Sequence, residues 1–387
     1  MRSENFSLKP LASLANIYDS MRIPVKKADR KPGPYPYYGA SGIVDYVDSY
    51  IFDGEYLLLA EDGENLRSQN LPIAFMATGK FWVNNHAHIL QGKNGNNTLY
   101  LCYALKIADI GSYLSGSTRP KLTQRDMKRI SVSCADPEEQ HAIAHILGSL
   151  DDKIELNRRM NQTLQAMARA IFKHWFIDFE FPNENGEPYK SSGGETINSP
   201  LGPIPKGWRI GRIEDVCEFS YGKALKADKR IQGRIPVYGS NGQIGWHNES
   251  LVSGPGIIVG RKGNPGLIHW SEEDFFPIDT TFYVVPRVGK SIMHFLYFAL
   301  KHVDLPRLSA DSAVPGLNRN IAYMQQLVIP TEQLLRDFEN RISIIFDLLQ
   351  TNCWQNQSLS ELRDSLLPKL VSGEIRVPVS EKEDDQL

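Results

Sequence analysis

Apolar and small side chains between Asp136 and Trp175 recur at alternating steps of four and three: Ile143, Leu147, Leu150, Ile154, Asn157, Asn161, Leu164, Ala168, Ile171 and Trp175. A 3.5-residue period of this kind predicts one long helix with a coiled-coil seam. Its start is marked in DPEEQHAIAHILGSL, with Asp136 as N-cap, Pro137 at the first helical position and acidic residues in the first turn. A shift of 195 residues gives a second seam: Phe338, Ile342, Ile345, Leu349, Asn352, Asn356, Leu359, Arg363, Leu366 and Leu370. One amphipathic helix packed on a domain explains one such seam, but not two that match station by station. The 33 residues from Ile143 to Trp175 would span about 48 Å at 1.5 Å per residue.

A different pattern precedes each helix. YPYYGASGIVDYV near residue 35 and IPVYGSNGQIGWH near residue 235 share an offset of 200. At that offset Gly33, Pro36, Tyr38, Gly39, Gly42, Gly54 and Gly63 coincide with Gly233, Pro236, Tyr238, Gly239, Gly242, Gly254 and Gly263. Glycines recur at fixed places where the backbone makes a turn that a Cβ would obstruct. IFDGEYLLLAEDGEN and LVSGPGIIVGRKGNP both read as a strand followed by a hairpin-like turn. SGSTRPKLTQRDMKRISV then parallels SAVPGLNRNIAYMQQLVI, with Pro120 against Pro315 and Leu122 against Leu317. The expected fold class is therefore α+β. Two duplicated mixed α/β domains are separated by a long two-helix antiparallel coiled coil, as a pseudo-two-fold internal repeat.

That order fixes a register. Each seam's midpoint is straddled by its two asparagines, so partner positions in a pseudo-two-fold antiparallel pair sum to 513. Asn157 then faces Asn356 and Asn161 faces Asn352, while Ile154 meets Leu359 and Leu164 meets Leu349. Amides can pair across a seam, and a shifted register would bury them against leucine, so Asn157, Asn161, Asn352 and Asn356 are the expected register residues.

Composition adds little until the charge is divided. The net charge is -2 over 387 residues, but residues 1–135 carry +4, 136–190 carry -4, 191–330 carry +3 and 331–387 carry -5. Basic segments suit a polyanion, and acidic ones suit solvent or a protein partner. No apolar run is long enough to span a membrane, and MRSENFSLKP has no secretory-type apolar stretch. Cys102, Cys134, Cys217 and Cys353 are scattered without a CxxC pair. Reduced thiols and a cytoplasmic location are the expectation.

The whole chain resembles the specificity subunit of type I restriction–modification systems. The segments that carry the resemblance are YGASG and YGSNG, FWVNNHAH, HILGSLDDKIELNRRMNQTLQAMARAIFKHWFIDF, SPLGPIPKGW and LRDSLLPKLVSGEIRV. The first repeat departs from it, opening NFSLKPLASLANIYDS without an IPKGW-like string. The resemblance implies target recognition domains at 1–135 and 208–330 and conserved spacer helices at 136–180 and 331–375. Residues 181–207 would be a polar Gly/Pro/Ser-rich linker, and 376–387 an acidic C-terminal tail. Each domain would read one half of a bipartite, asymmetric site in double-stranded DNA. The helices would set the spacing and dock two methyltransferase subunits, and ATP-dependent restriction and translocase subunits would join. S-adenosylmethionine, ATP and Mg would belong to those partners, with no cofactor on this chain. Three alternatives stay open: a DNA-reading subunit of another methyltransferase arrangement, a duplicated protein-binding scaffold without nucleic acid, or a standalone enzyme.

The sequence shows no NPPY-like motif and no P-loop, so no catalytic residue is expected. His86 and His88 stand two apart on one strand face, with no Cys or acidic neighbour in sequence as a third ligand. Packing is expected there rather than metal binding. DNA reading needs donors on loops, to phosphates and to base edges. The first domain offers Lys26, Lys27, Arg30, Lys31, Ser41, Arg67, Lys93, Asn94, Arg119 and Lys121. The second offers Lys223, Lys226, Lys229, Arg230, Arg234, Asn241, Arg261, Lys262, Asn264 and Arg319. The clusters 26–31 and 223–234 precede the same glycine loop. Ala40-Ser41 against Ser240-Asn241, and Glu61-Asp62 against Arg261-Lys262, are the differences that would suit two different half-sites. Tyr38 and Tyr238 are expected to pack beside that loop.

Overall fold

Two helices dominate the secondary structure, Pro137–Phe172 and Glu332–Ser372. A computed structural model describes residues 6–116, 118–287, 292–309 and 316–378. Pro315 and most of the acidic tail therefore lie outside the described residues. The chain divides into two compact units: residues 1–156 with 355–387, and residues 157–354. Among the described residues no helix is long and apolar enough to cross a membrane.

The first unit contains a six-stranded sheet in the order Ala15–Ile17, Ala87–Gly92, Phe52–Ala60, Ala74–Val83, Pro32–Gly39 and Gly42–Val47. The second unit orders its strands alike, but in two sheets. Cys217–Tyr221, Thr281–Pro286, Gly256–Gly260 and Ile268–Ser271 form one; Gly242–His247, Ile235–Gly239 and Phe276–Pro277 form the other. The difference lies in one strand. Ala74–Val83 bends through Gly79, at a left-handed φ of 75°, and continues into both halves of its sheet. Its counterpart is interrupted between Ser271 and Phe276. Smaller elements also repeat: strands Ser7–Pro10 and Ser131–Cys134 pair as Arg209–Arg212 and Gln326–Ile329 do. The blocks that read as a strand and a hairpin-like turn are antiparallel pairs with long connections, one of them holding the short helix Asn65–Ser68.

The repeated glycines have physical causes that also repeat. Gly42 and Gly242 close the same hairpin at φ values of 125° and 104°, in the left-handed half of the map. A Cβ on Gly33 would stand 2.4 Å from the Val47 carbonyl oxygen, and one on Gly233 would stand 2.2 Å from that of His247. Both hairpins slip register at the equivalent place, after Tyr37 and after Val237, and the first slips again between Pro32 and Tyr35. Gly54 and Gly254 match in sequence but not in cause. Gly54 has a φ of 133°, while a Cβ on Gly254 would stand 2.4 Å from the Glu273 backbone.

Every position of both helical seams is buried or half-buried. In the first unit Ile143 and Leu147 share a core with Leu367, Leu370 and Val371. Arg363, a charge at a seam position, is matched by Asp151 at 2.6 Å, which also accepts the Tyr103 hydroxyl. In the second unit Trp175 packs on Phe338 with ring centroids 5.8 Å apart, and the Asn352 amide donates to the Asn161 carbonyl at 2.8 Å. Both pairs sum to 513, so the helix segments of this unit run in opposite directions. Lys173–Ile177 is a wide turn that lets the adjacent Trp175 and Phe176 both be buried.

The asparagine pair yields a testable sign. Asn352→Leu strands the Asn161 carbonyl against leucine and should cost about 1–3 kcal/mol. Adding Asn161→Leu removes both polar partners and should recover most of that. The measurement is a double-mutant cycle by denaturation of the full chain; a double variant less stable than either single one would rule out the pairing as the stabilising contact.

The segment expected as a linker, 181–207, is folded. Phe181 stacks between Tyr189 at 4.5 Å and Trp208 at 5.1 Å, and Ile204 joins the second unit's core. Thr196–Ser199 pairs with Gly202–Pro205. The polar, Gly/Pro/Ser-rich composition there reflects tight turns around a few buried aromatics.

Candidate nucleic-acid interface

In each unit several loops meet along one edge of the sheet. In the second unit the Asn264 amide bonds to Asn241, the Ser240 hydroxyl donates to the Thr280 carbonyl at 2.7 Å, and the same carbonyl accepts the Arg261 and Lys262 amides. The Leu317 amide donates to the Arg261 carbonyl at 2.9 Å. The first unit is built alike: the Glu61 amide donates to the His86 carbonyl and the Leu122 amide to the Glu61 carbonyl, each at 2.8 Å. Thr123 caps the short helix Gln124–Met127 as Asn318 caps Arg319–Tyr323. Backbone equivalence therefore runs Glu61 to Arg261, Leu122 to Leu317 and Gln124 to Arg319. Strand register matches His88 with Phe282 through Leu59 and Val259, and matches Ile17 with Phe219, so that Asp19, two residues past its strand, corresponds in count to Tyr221.

The side chains at these equivalent points have opposite chemistry. In the first unit they close on one another. Buried His88 places Nδ1 2.6 Å from Asp19 and Nε2 2.8 Å from the Leu122 carbonyl. Asp19 also accepts the Ile89 amide and the Gln124 side chain. Burial pushes the Asp19 carboxyl up, but the bond to His88 and its charge, with the other two donors, hold it below the usual carboxylate range. Arg22 lies 2.6 Å from Glu61 and 3.5 Å from Asp19, and Lys121 lies 3.3 Å from Glu61. Asp62 takes Arg119 at 2.9 Å and His86 at 2.8 Å. Asp19, Glu61 and His88 come close enough together to hold a metal ion, which the sequence spacing of the histidines did not suggest. Their ligand atoms are instead engaged by Arg22, Lys121 and backbone groups, as expected of a buried ionic network.

In the second unit the same place is open and basic. Tyr221, Phe282, Leu317, Arg261, Arg319 and Asn320 line a hollow of about 310 Å3. The guanidinium carbons of Arg261 and Arg319 lie 4.9 and 5.1 Å from the Tyr221 ring centroid. Each arginine spends one donor on a backbone carbonyl, Asp279 for Arg261 and Phe219 for Arg319. Among the described residues neither has a carboxylate partner.

The remaining expected contacts fall into three groups. Lys26, Lys27, Lys31, Ser41, Lys223, Lys226, Lys229 and Arg234 are exposed beside the glycine hairpin. Arg30 and Arg230 in those clusters are struts: Arg30 pairs with Asp45 at 3.0 Å and covers Tyr37, and Arg230 donates to the Ile244 carbonyl. Arg67 bonds to the Gly116 carbonyl. Lys93 and Asn94 stand apart, beyond the far end of strand Ala87–Gly92, where Lys93 holds the Ala12 carbonyl. Tyr38 and Tyr238 are half-buried, at 5.6 Å from Phe81 and 6.0 Å from Phe275.

Sequence reasoning missed Tyr221, Arg22 and the exposed aromatics Tyr46 and Trp246, at 53% and 50% exposure. The last two coincide at the offset of 200 and were visible to it. A prediction follows for the lysines. Changing Lys26, Lys27 and Lys31 to Ala should lower the salt-dependence slope of DNA binding by up to about three phosphate contacts. A slope unchanged in a titration of the assembled complex would remove this cluster from the interface.

A chain with this duplicated loop edge and long helices belongs to the type I restriction modification DNA specificity domain family, whose signature matches residues 3–166 and 205–332. It is a DNA sequence-specificity subunit. The specificity subunit of the type I restriction enzyme MjaIX from Methanocaldococcus jannaschii is 26% identical over 393 aligned residues, covering 89% of this chain and 88% of that one. The HindI specificity subunit of Haemophilus influenzae is 25% identical over 334 residues, covering 67% and 72%. The crystal structure of a type I restriction–modification S subunit from M. genitalium shares the fold, with a TM-score of 0.67 and 20% identity over 95% of this chain and 96% of that one.

Proposed function

We propose that this chain is the non-catalytic DNA-recognition subunit of a type I restriction–modification complex, with one half of a bipartite asymmetric site read by each domain. The two long helices act as an antiparallel coiled-coil spacer and dock two methyltransferase subunits. ATP-dependent restriction and translocase subunits complete the assembly. S-adenosylmethionine, ATP and Mg are bound by those partners, and this chain supplies sequence selection. The observation that carries the reading is one loop edge built twice on equivalent backbone, with Glu61 and Gln124 in one copy and Arg261 and Arg319 in the other. Shared backbone with different donors and acceptors is what two unlike half-sites require.

The test is selection from a randomised duplex library by the chain assembled with its methyltransferase subunits. The expected product is two short motifs separated by a fixed number of unspecified base pairs. A single uninterrupted motif, or none, would overturn the reading.

A further inference from the structure

The hollow between Tyr221, Arg261 and Arg319 has chemistry that the general role of the chain does not assign. A guanidinium offers five N–H donors in a planar fork. Arg261 and Arg319 each commit one to a backbone carbonyl and lie against the same tyrosine ring, so their planes are held before any ligand arrives. The rest of each fork has no carboxylate among the described residues. The equivalent place in the first domain is self-satisfied, since Asp19, Glu61, His88 and Gln124 meet Arg22, Lys121 and one another. Among the described residues, the second domain therefore presents oriented guanidinium donors without a carboxylate partner at this point of the edge, and the first does not.

Resting on the proposed role in DNA reading, we propose that the Tyr221–Arg261–Arg319 hollow reads the acceptor edge of a guanine in the half-site of the second domain. The O6 and N7 atoms of guanine accept in line along the major groove and match one guanidinium fork. A phosphate would satisfy the charge as well. The exposed Lys223, Lys226 and Lys229 on flexible stems suit phosphates, whereas the arginines here are fixed in direction by a ring and a carbonyl. The first domain, with its acids engaged, selects by other groups along its edge.

The experiment uses the full chain assembled with its methyltransferase subunits, and reads the motif selected from randomised duplexes together with the salt dependence of binding. Arg261→Ala and Arg319→Ala should each relax selection at one G·C pair in one half of the motif, by about tenfold. Arg261→Lys keeps the charge but not the fork, and should relax the same base pair. Three results would overturn the proposal. One is affinity lost equally on all sequences with a smaller salt slope, which marks a phosphate contact. Another is a wild-type motif unchanged in all three variants, which removes the hollow but leaves the DNA-reading role. The third is a wild-type complex that selects nothing, which removes both.

Discussion

Asp19→Ala is expected to destabilise the first domain by about 3–5 kcal/mol, the range for breaking a buried ion pair by removing one partner. The Asp19 side chain is 4% exposed, accepts from Ile89 and Gln124, bonds to His88 and lies 3.5 Å from the Arg22 guanidinium. Without it, His88 Nδ1 faces a cavity while Nε2 stays at the Leu122 carbonyl, and the Ile89 amide is left unpaired in the core. Asp19→Asn keeps an acceptor for that amide and should cost less. Acid gives an independent reading. The folded carboxyl sits below the 3.8 of an unperturbed aspartate, so its contribution is fully present above that value. It is lost as pH falls through the lower folded value. Denaturation of the full chain across that window should show the wild type converging on Asp19→Asn. The second domain suggests a rescue, because Tyr221 and Phe282 stand at the corresponding points with, among the described residues, no carboxylate between them and two arginines against the rings. Asp19→Tyr with His88→Phe should therefore recover part of the loss, as apolar replacement of buried ions often does. A loss below 1 kcal/mol for Asp19→Ala would show the network to be a surface-like pair of little weight.

The parts of this molecule legible in sequence are those whose cause is local or periodic. A 3.5-residue spacing belongs to the helix itself, and the seam from Ile143 to Trp175 is buried or half-buried throughout, as that spacing requires. Glycines such as Gly42 and Gly242 are dictated by a turn a few residues wide. The Asn161–Asn352 pair follows from symmetry once both seams are seen. What was illegible depends on insertions. Offsets of 200 and 195 align most of the repeat, but the opening strands align at 202, Ala15 with Cys217 and Ile17 with Phe219. Asp19 and Tyr221 therefore could not be recognised as one position, and the ionic network and the arginine hollow could not be compared. The folded 181–207 segment escaped for another reason. Its core contacts are made by Phe181, Tyr189 and Ile204, three residues too widely spaced to form a period.

That segment decides how the largest functional effect is obtained. Replacing the second domain by that of another family member should change one half of the methylated site completely and leave the other half as it was. A graft beginning at residue 205, where the repeat becomes visible in sequence, would place Trp208 of the new domain against Phe176, Phe179 and Phe181 of the old chain. These rings lie 5.9, 5.5 and 5.1 Å from the Trp208 ring. An aromatic mismatch in a closed core costs about 1–3 kcal/mol when overpacked and more when it leaves a cavity. The graft should instead run from 178 to 331, so that Phe179, Phe181, Tyr189 and Ile204 travel with Trp208. The wide turn Lys173–Ile177 and helix Glu332–Ser372 remain native. Phe176 and Phe338 then still meet at 4.8 Å and preserve the spacing of the helices. Methylome sequencing of cells carrying the 178–331 graft should show one new half-site at the original spacing. The 205–331 graft should give the same new half-site with lower thermal stability. Alteration of both half-sites by the longer graft would show that the two domains do not read independently.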